Sequence, residues 1–281
     1  MSREVLLNGR FVPYEQAAIA IDDRGFQFAE SVYEVIRVYK GKPFEMERHM
    51  RRLRASVAAV DLDLGTALDQ LETQSLELLR RSGLQEASIY LQATSGAAPR
   101  AHLCPEGLTP TVVAIVSPAS PPSARLYEEG IRVITVPDER WAKCYVKTTM
   151  LLPNTTAKKR AAAAGCHDAI FVRDGFVMEG SASNLFAVFD GVLTTPPASN
   201  YILHGVTRAV VLDLARELGM SYSESPIPLP KLYAAQEMFF TGTVGEVVPI
   251  VEVDGKPVST GRPGSITSRI HEAFQRKVEV L

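Results

Sequence analysis

Lys147 sits in "WAKCYVKTTMLLPN", Glu179 in "FVMEGSASN", and Arg100 and His102 close the run "SGAAPRAH"; these are the side chains of this 281-residue chain with the most chemistry to offer. A lysine among apolar and small neighbours loses solvation of its charged form, and its neutral amine can then attack a carbonyl and form a Schiff base. The alternative is a strand lysine whose stem lies along the surface, which the spacing alone favours, and Lys143 has similar claims. Glu179 lies between a strand and a cluster of small hydroxylated residues. A carboxylate there holds a protonated heterocyclic nitrogen or is simply solvated. If Pro99 keeps its stretch extended, Arg100 and His102 project to one side and await an anion; otherwise they are incidental loop charges.

Gly205, Val206 and Thr207 fall at the predicted start of a helix, where unpaired N–H groups and the helix dipole favour a phosphate. Ordinary capping by Thr207 is the competing explanation. "TGTVGE", residues 241–246, could bring Thr243 to the same phosphate. No G-x-x-x-x-G-K-[ST] run points to a nucleoside triphosphate, and "GSASN" is out of register for the G-x-S-x-G elbow of a hydrolase. Each signal is weak singly. Together a lysine, a carboxylate and a phosphate cup describe a phosphorylated aldehyde, and that is pyridoxal phosphate chemistry.

These residues need elements to hold them. "VYEVIRVY", 32–39, is a β-branched and aromatic strand ending at Lys40-Gly41, with Tyr33 near its start. Met46, Met50, Leu53, Val57 and Val60 recur at steps of three and four, an amphipathic helix flanked by the basic "RRLR". A second helix is predicted over about 66–82 with Gly83 closing it, then strands at "ASIYLQAT" and "TVVAIV". Three prolines in "SPASPPS" support neither helix nor central strand. The expected division is an N-terminal α/β domain over 1–118, a linker over 119–123, and a C-terminal α/β domain over 124–281 that carries the Schiff-base lysine. Beyond the linker follow a strand at "IRVITV", a helix over about 154–165, a sheet-rich block from "DAIFVRDG" to "LTTPP", and helices from Val206 to Gly219 and from about Ser265. Asn8-Gly9, Asp174-Gly175, Asp190-Gly191 and Asp254-Gly255 are hairpin signals. The fold class expected is mixed α/β (α+β) in two domains.

Bulk properties remove several classes. With 30 basic and 32 acidic residues the formal charge is −2, so no global field draws the chain to nucleic acid or an anionic membrane. "MSREVLLNGRF" meets Asn8-Gly9 too soon for a signal-peptide apolar region, no run has the length of a membrane span, and a cytoplasmic protein is expected. Cys104, Cys144 and Cys166 form no C-x-x-C pair and read as reduced thiols, and Cys166-His167 alone is poor support for a metal site.

In this order, "DRGFQFAESVYEVIRVY", "SGAAPRAH", "VKTTMLLPN", "DAIFVRDGFVMEGSASN" and "ILHGVTRAVVLDLA" resemble the class IV (fold type IV) pyridoxal phosphate aminotransferases, within which they are most similar to D-amino acid aminotransferases. The resemblance implies the two-domain fold type IV architecture and pyridoxal 5′-phosphate (PLP) as cofactor. It implies that Lys147 forms the Schiff base and shuttles the proton, and that Glu179 pairs with the pyridine nitrogen. Arg52, Val206, Thr207 and Thr243 are implied at the phosphate, with Ser183 and Leu203 among the cofactor contacts. Arg100 and His102, with Tyr33, are implied to bind the substrate α-carboxylate; a guanidinium fork suits it because it donates two parallel hydrogen bonds. In similar enzymes this pair reaches the site from the neighbouring subunit, which implies a homodimer. The relative placement of carboxylate trap and lysine implies the D-enantiomer.

The sequence departs from the family where "FAESVYE" stands for a glycine-rich, acidic loop, placing Ala29, Glu30 and Ser31 just before Tyr33, and where Ala182 replaces a frequent serine. Fewer glycines restrict the backbone there, which bears on side-chain preference. The expected reaction is ping-pong transamination from a D-amino acid such as D-alanine to a 2-oxo acid such as 2-oxoglutarate. An L-branched-chain aminotransferase on the same fold is the nearest alternative, and it leaves Arg100 and His102 without a task. A lyase releasing pyruvate from an aminochorismate-like substrate is another, as is a non-catalytic binder.

Overall fold

The structure, a computed structural model, describes residues 3–281. By contacts the chain divides into two compact units: one runs to Ser120 and includes Val146–Met150 and Leu281, and the other comprises Pro121–Tyr145 and Leu151–Val280.

In the first unit, strands β1 (Glu4–Leu7), β2 (Arg10–Pro13), β3 (Ser31–Tyr39), β4 (Lys42–Pro43), β5 (Ala87–Thr94) and β6 (Thr111–Pro118) form a sheet in the order β2-β1-β6-β5-β3-β4. Every pairing in it is antiparallel. The turns follow from backbone chemistry. Asn8 and Gly9, like Lys40 and Gly41, both hold positive φ, the requirement of the two-residue type I′ loop that matches strand twist. Helices α1 (Arg24–Phe28), α2 (Met46–Ala59) and α3 (Ala67–Ser82) lie in the same unit. The stripe predicted for α2 buries Met50, Leu53 and Val57 against β3, and α3 buries Leu71, Leu78 and Leu79 and packs on β6 and β1. Gly83 ends α3 in the left-handed conformation, as its sequence position predicts.

The second unit contains α4 (Ala124–Glu129), β7 (Ile131–Pro137), α5 (Leu152–Ala163), β8 (Asp168–Arg173), β9 (Phe176–Gly180), β10 (Asn184–Phe189), β11 (Val192–Thr195), α6 (Val206–Glu217), β12 (Tyr222–Glu224), β13 (Ile227–Pro228), α7 (Leu229–Leu232), β14 (Glu237–Gly242), β15 (Glu246–Val253), β16 (Lys256–Pro257) and α8 (Ser265–Glu279). Its sheet runs β12-β11-β10-β14-β15-β7-β8-β9-β13, with β16 paired to β15. The three Asp-Gly signals become the β8–β9, β10–β11 and β15–β16 hairpins. Ile170, Leu185, Met238, Phe240 and Ile250 belong to one core, while α5 packs on β7 and β8 and α8 on β14 and β15. α5 starts two residues earlier than expected because Pro153 fits its first turn, where the missing N–H has no partner to lose.

One expectation changes. The sequence predicts a C-terminal domain that carries Lys147, whereas Val146–Met150 belong by contacts to the first unit. The reason is local hydrogen bonding: Thr148 bridges Val32, and Tyr33 N donates to Lys147 O at 3.0 Å. No helix among the described residues is long and apolar enough to cross a membrane.

Candidate active site

Lys147 is half-buried between buried Val146 and Thr148, so its backbone is fixed and its side chain is left to project. Its amide donates to Ser56 Oγ of α2 at 3.1 Å, and its Nζ lies 4.2 Å from the centroid of the Tyr33 ring. The apolar setting expected for a reactive lysine is therefore supplied on one side by an aromatic face. Tyr33 itself stacks at a tilt on Tyr90, 5.7 Å away, and burial raises its phenol above the ordinary value. Strand alternation sends Glu34 the opposite way, to the face covered by α2. There it is fully buried and takes a two-pronged contact from Arg52, Nε at 2.6 Å and Nη2 at 2.8 Å, with His49 Nδ1 at 2.8 Å. Although burial alone would raise it, the Arg52 charge and hydrogen bonds hold the Glu34 carboxyl down at about 2. Burial lowers His49, so this imidazole favours the neutral form. Arg52, assigned to a phosphate from the sequence, thus stands with its fork on a carboxylate.

Arg100 and His102 come together by a different route from the one expected. Bends at Pro99–Arg100 and at His102–Leu103 interrupt the extended run, yet both side chains meet the ring of Phe28. The Arg100 guanidinium lies 4.7 Å from that ring's centroid and the His102 ring meets it edge-on at 5.9 Å. Both residues are exposed, as an anion trap requires.

In the second unit Glu179, only 4% exposed, is the last residue but one of β9. Arg140 Nη1 donates to its Oε1 at 2.5 Å, Asn184 Nδ2 to its Oε2 at 2.9 Å, and Leu203 N to both oxygens at 3.0 Å. Arg140 is shared: its Nε and Nη2 bind Asp138 at 2.8 and 3.0 Å, and Asp138 also takes Arg173 Nε at 3.2 Å. Burial pushes Glu179 up to about 7 against the pull of Arg140 and the Leu203 amide. A carboxyl so placed and oriented can meet a protonated ring nitrogen.

Two further features of this unit suit a phosphorylated cofactor. The hydroxyls of Ser183 and Thr241 are buried with no hydrogen-bond partner among the described residues, and they are near neighbours, since Thr241 pairs with Asn184 across β10–β14. Beside them α6 opens with Gly205 as its cap and Val206 and Thr207 as its first residues, so Thr207 is not the cap. A Cβ at Gly205 would stand 2.0 Å from Asn184 Oδ1, which is why only glycine allows this approach. Orphaned hydroxyls and helix N–H groups are the donors a phosphate takes. Thr243 lies half-buried in the β14–β15 turn. His204, unassigned in the sequence, turns to Ser199 O at 3.3 Å.

Sequence reasoning missed Arg140, Asn184, Thr241, Phe28 and Glu34. Phe28, Glu34, Asn184 and Thr241 lie inside stretches singled out in the sequence; Glu34 directly follows Tyr33, and Asn184 closes the "GSASN" run beyond Glu179. Arg140 contacts Glu179 across 39 residues, a separation that spacing does not reveal.

Comparison with known proteins agrees with this chemistry. The amino-transferase class IV family model matches residues 31–253. D-alanine aminotransferase of Bacillus licheniformis is 38% identical over 275 residues, 98% of this chain and 97% of that protein. D-alanine aminotransferase of Staphylococcus aureus strain COL is 36% identical over 277 residues, 98% of each. The structure of the T.th. branched-chain amino acid aminotransferase with pyridoxamine 5′-phosphate is similar with a TM-score of 0.92, at 28% identity, covering 99% of this chain and 94% of that one.

Proposed function

The chain belongs to the amino-transferase class IV family, and from that premise we propose that Lys147 and Glu179 carry its chemistry while Arg100, His102 and Tyr33 select its substrate. The protein is a transaminase of the type IV fold with pyridoxal 5′-phosphate as cofactor. It moves an amino group from a D-amino acid such as D-alanine to a 2-oxo acid such as 2-oxoglutarate, giving pyruvate and D-glutamate in two half-reactions. Bound PLP supplies the electron sink that makes an amino-acid α-proton acidic and carries the amino group between the half-reactions.

The residues divide the remaining work. Lys147 Nζ would hold the cofactor and serve as the base and acid that takes and returns the proton at the substrate Cα. The face of Tyr33 shields that amine from water on one side. Glu179 would accept a hydrogen bond from the ring nitrogen and favour its protonated form, with Asn184 and the Leu203 amide fixing the carboxylate's orientation. Val206 and Thr207 at the α6 start, with Thr243 and Ser183, would hold the phosphate, and Arg52, whose Nε and Nη2 are held by Glu34, would add its charge. Arg100 and His102 clamp the α-carboxylate, and the D-alanine aminotransferase relatives support a D-amino acid as the hand whose α-hydrogen meets Lys147.

The observation that carries this reading is the Lys147 amine held over the face of the Tyr33 ring. Its test is the visible spectrum of the yellow holoenzyme. D-alanine should bleach it, L-leucine should not, and Lys147→Ala should abolish turnover; bleaching by L-leucine alone would transfer the reading to branched-chain substrates.

Arg100 and His102 serve the neighbouring subunit of a homodimer in this proposal. Exposed Ile19, Ile21, Phe26 and Leu103 in the same unit give it support, since such side chains mark a surface that is covered in use. Mixing Lys147→Ala with Arg100→Ala subunits should restore about a quarter of the wild-type sites in a two-fold dimer; no recovery means that each subunit uses its own clamp. A cytoplasmic location is part of the same reading and accords with the three free cysteines.

A further inference from the structure

Arg24 is the most fully engaged charge in the first unit. It is completely buried, and it spreads its guanidinium over two targets. Nε and Nη2 grip Glu30 Oε2 and Oε1, both at 2.6 Å, a bidentate pair of the strong kind. Nη1 donates to Ala101 O at 2.7 Å and Nη2 to His102 O at 3.2 Å. Those two carbonyls belong to the Arg100-Ala101-His102 stretch itself. One turn further along α1, Phe28 receives Arg24 on its ring at 4.7 Å and Arg100 also at 4.7 Å.

The surrounding backbone is joined along the same line. Arg24 N donates to Gly96 O at 2.9 Å, Ala98 N to Asp22 O at 3.2 Å, and Ser95 bonds Glu30 through both its amide and its hydroxyl. Ala29 takes the left-handed conformation, with φ +56°, that ends α1 and lets Glu30 fold back on Arg24. The departure "FAES" therefore keeps the sharp turn without a glycine and places a long carboxylate where it neutralises a buried arginine.

We propose that Arg24 and Glu30 are positioning residues for substrate recognition: their ion pair holds the Ala101 and His102 carbonyls and so fixes Arg100 and His102 in the geometry that binds the α-carboxylate of the amino acid and of the 2-oxo acid. This rests on the assignment of Arg100 and His102 as the carboxylate clamp. The physical logic is that a two-pronged clamp needs a rigid base. Without Glu30, the Arg24 guanidinium loses its neutralising partner and its orientation, and the carbonyls lose their donors. The clamp contributes uniform binding, so its loss enters KM and leaves the chemical step alone.

The test compares holoenzymes of wild type, Glu30→Gln, Glu30→Asp and Arg24→Lys. Loss of one charge-assisted contact should raise KM for both D-alanine and 2-oxoglutarate about 10-fold in Glu30→Gln, with kcat within about two-fold. Arg24→Lys cannot reach both carbonyls and Glu30 together, so its KM should rise further, and Glu30→Asp should recover part of the loss. Glu30 is part-exposed, so its variants keep the test decisive if Arg24→Lys fails to fold. Propionate, a carboxylate with no amino group, should bind Glu30→Gln about 10-fold more weakly by calorimetry, whichever amino acid the enzyme turns over. If wild type ignores D-alanine, the substrate reading fails while propionate still decides the positioning role. Equal propionate binding by wild type and Glu30→Gln, including none by either, or a fall in kcat with KM unchanged, overturns the proposal.

Discussion

Each unit buries one glutamate against one arginine, and the two carboxyls titrate in opposite directions. In the first, Glu34 receives the whole fork of Arg52 together with His49 and falls to about 2. In the second, Glu179 receives a single N–H of Arg140, whose fork grips Asp138 instead, and it rises to about 7. Burial is nearly equal, 0% and 4% exposed, so depth does not set the sign. The allocation of guanidinium N–H groups does. Asp138 adds its own like charge, which raises Glu179 further. A carboxyl satisfied within the fold is structural. One left partly unneutralised gains by meeting a further cation, and a protonated ring nitrogen is such a cation.

The largest break in this contrast is Glu179→Gln. The amide keeps the hydrogen-bonding shape and removes the charge that keeps the ring nitrogen protonated, so kcat should fall by about two to four orders of magnitude. KM for D-alanine should move far less, because the carboxylate clamp is built from other residues. A stopped-flow trace of the first half-reaction reads this directly, and a kcat within a few-fold of wild type would mean that Glu179 is as structural as Glu34.

Local chemistry made much of this architecture legible. Type I′ turns demand positive φ at two successive positions, so Asn8-Gly9, Asp174-Gly175, Asp190-Gly191 and Asp254-Gly255 announce their hairpins directly. The stripes of α2 and α3 are similarly explicit, as is the glycine that ends α3. Lys147, Glu179 and the Arg100/His102 pair could be singled out because their residue types are unusual for their neighbourhoods. Their orienting partners could not. Arg24 reaches Ala101 across 77 residues and Arg140 reaches Glu179 across 39, and pairings made by chain topology leave no period in the sequence. The grouping of Lys147 with the first unit was hidden for the same reason, since it depends on Tyr33 N finding Lys147 O.

The finer effect is a crossed pH dependence in the cofactor-free protein. Glu34 has a folded value depressed from 4.5 to about 2, so the unfolded chain binds more protons between these limits; its contribution is complete above about 4.5 and is lost as pH falls through about 2. Glu179 is raised from 4.5 to about 7, so the folded state binds the extra proton; its contribution is complete below about 4.5 and is lost as pH rises through about 7. Shifts of this size correspond to at most about 3.5 kcal/mol each. Urea midpoints between pH 2 and 8 should therefore separate the variants in opposite senses. Glu34→Gln should be less stable than wild type at pH 7 and draw level as the medium is acidified. Glu179→Gln should lack the wild-type decline between about pH 4.5 and 7 and gain on wild type as the medium becomes alkaline. Parallel curves for both variants would show that the two arginines serve their glutamates alike, and the contrast between the units would have to be abandoned.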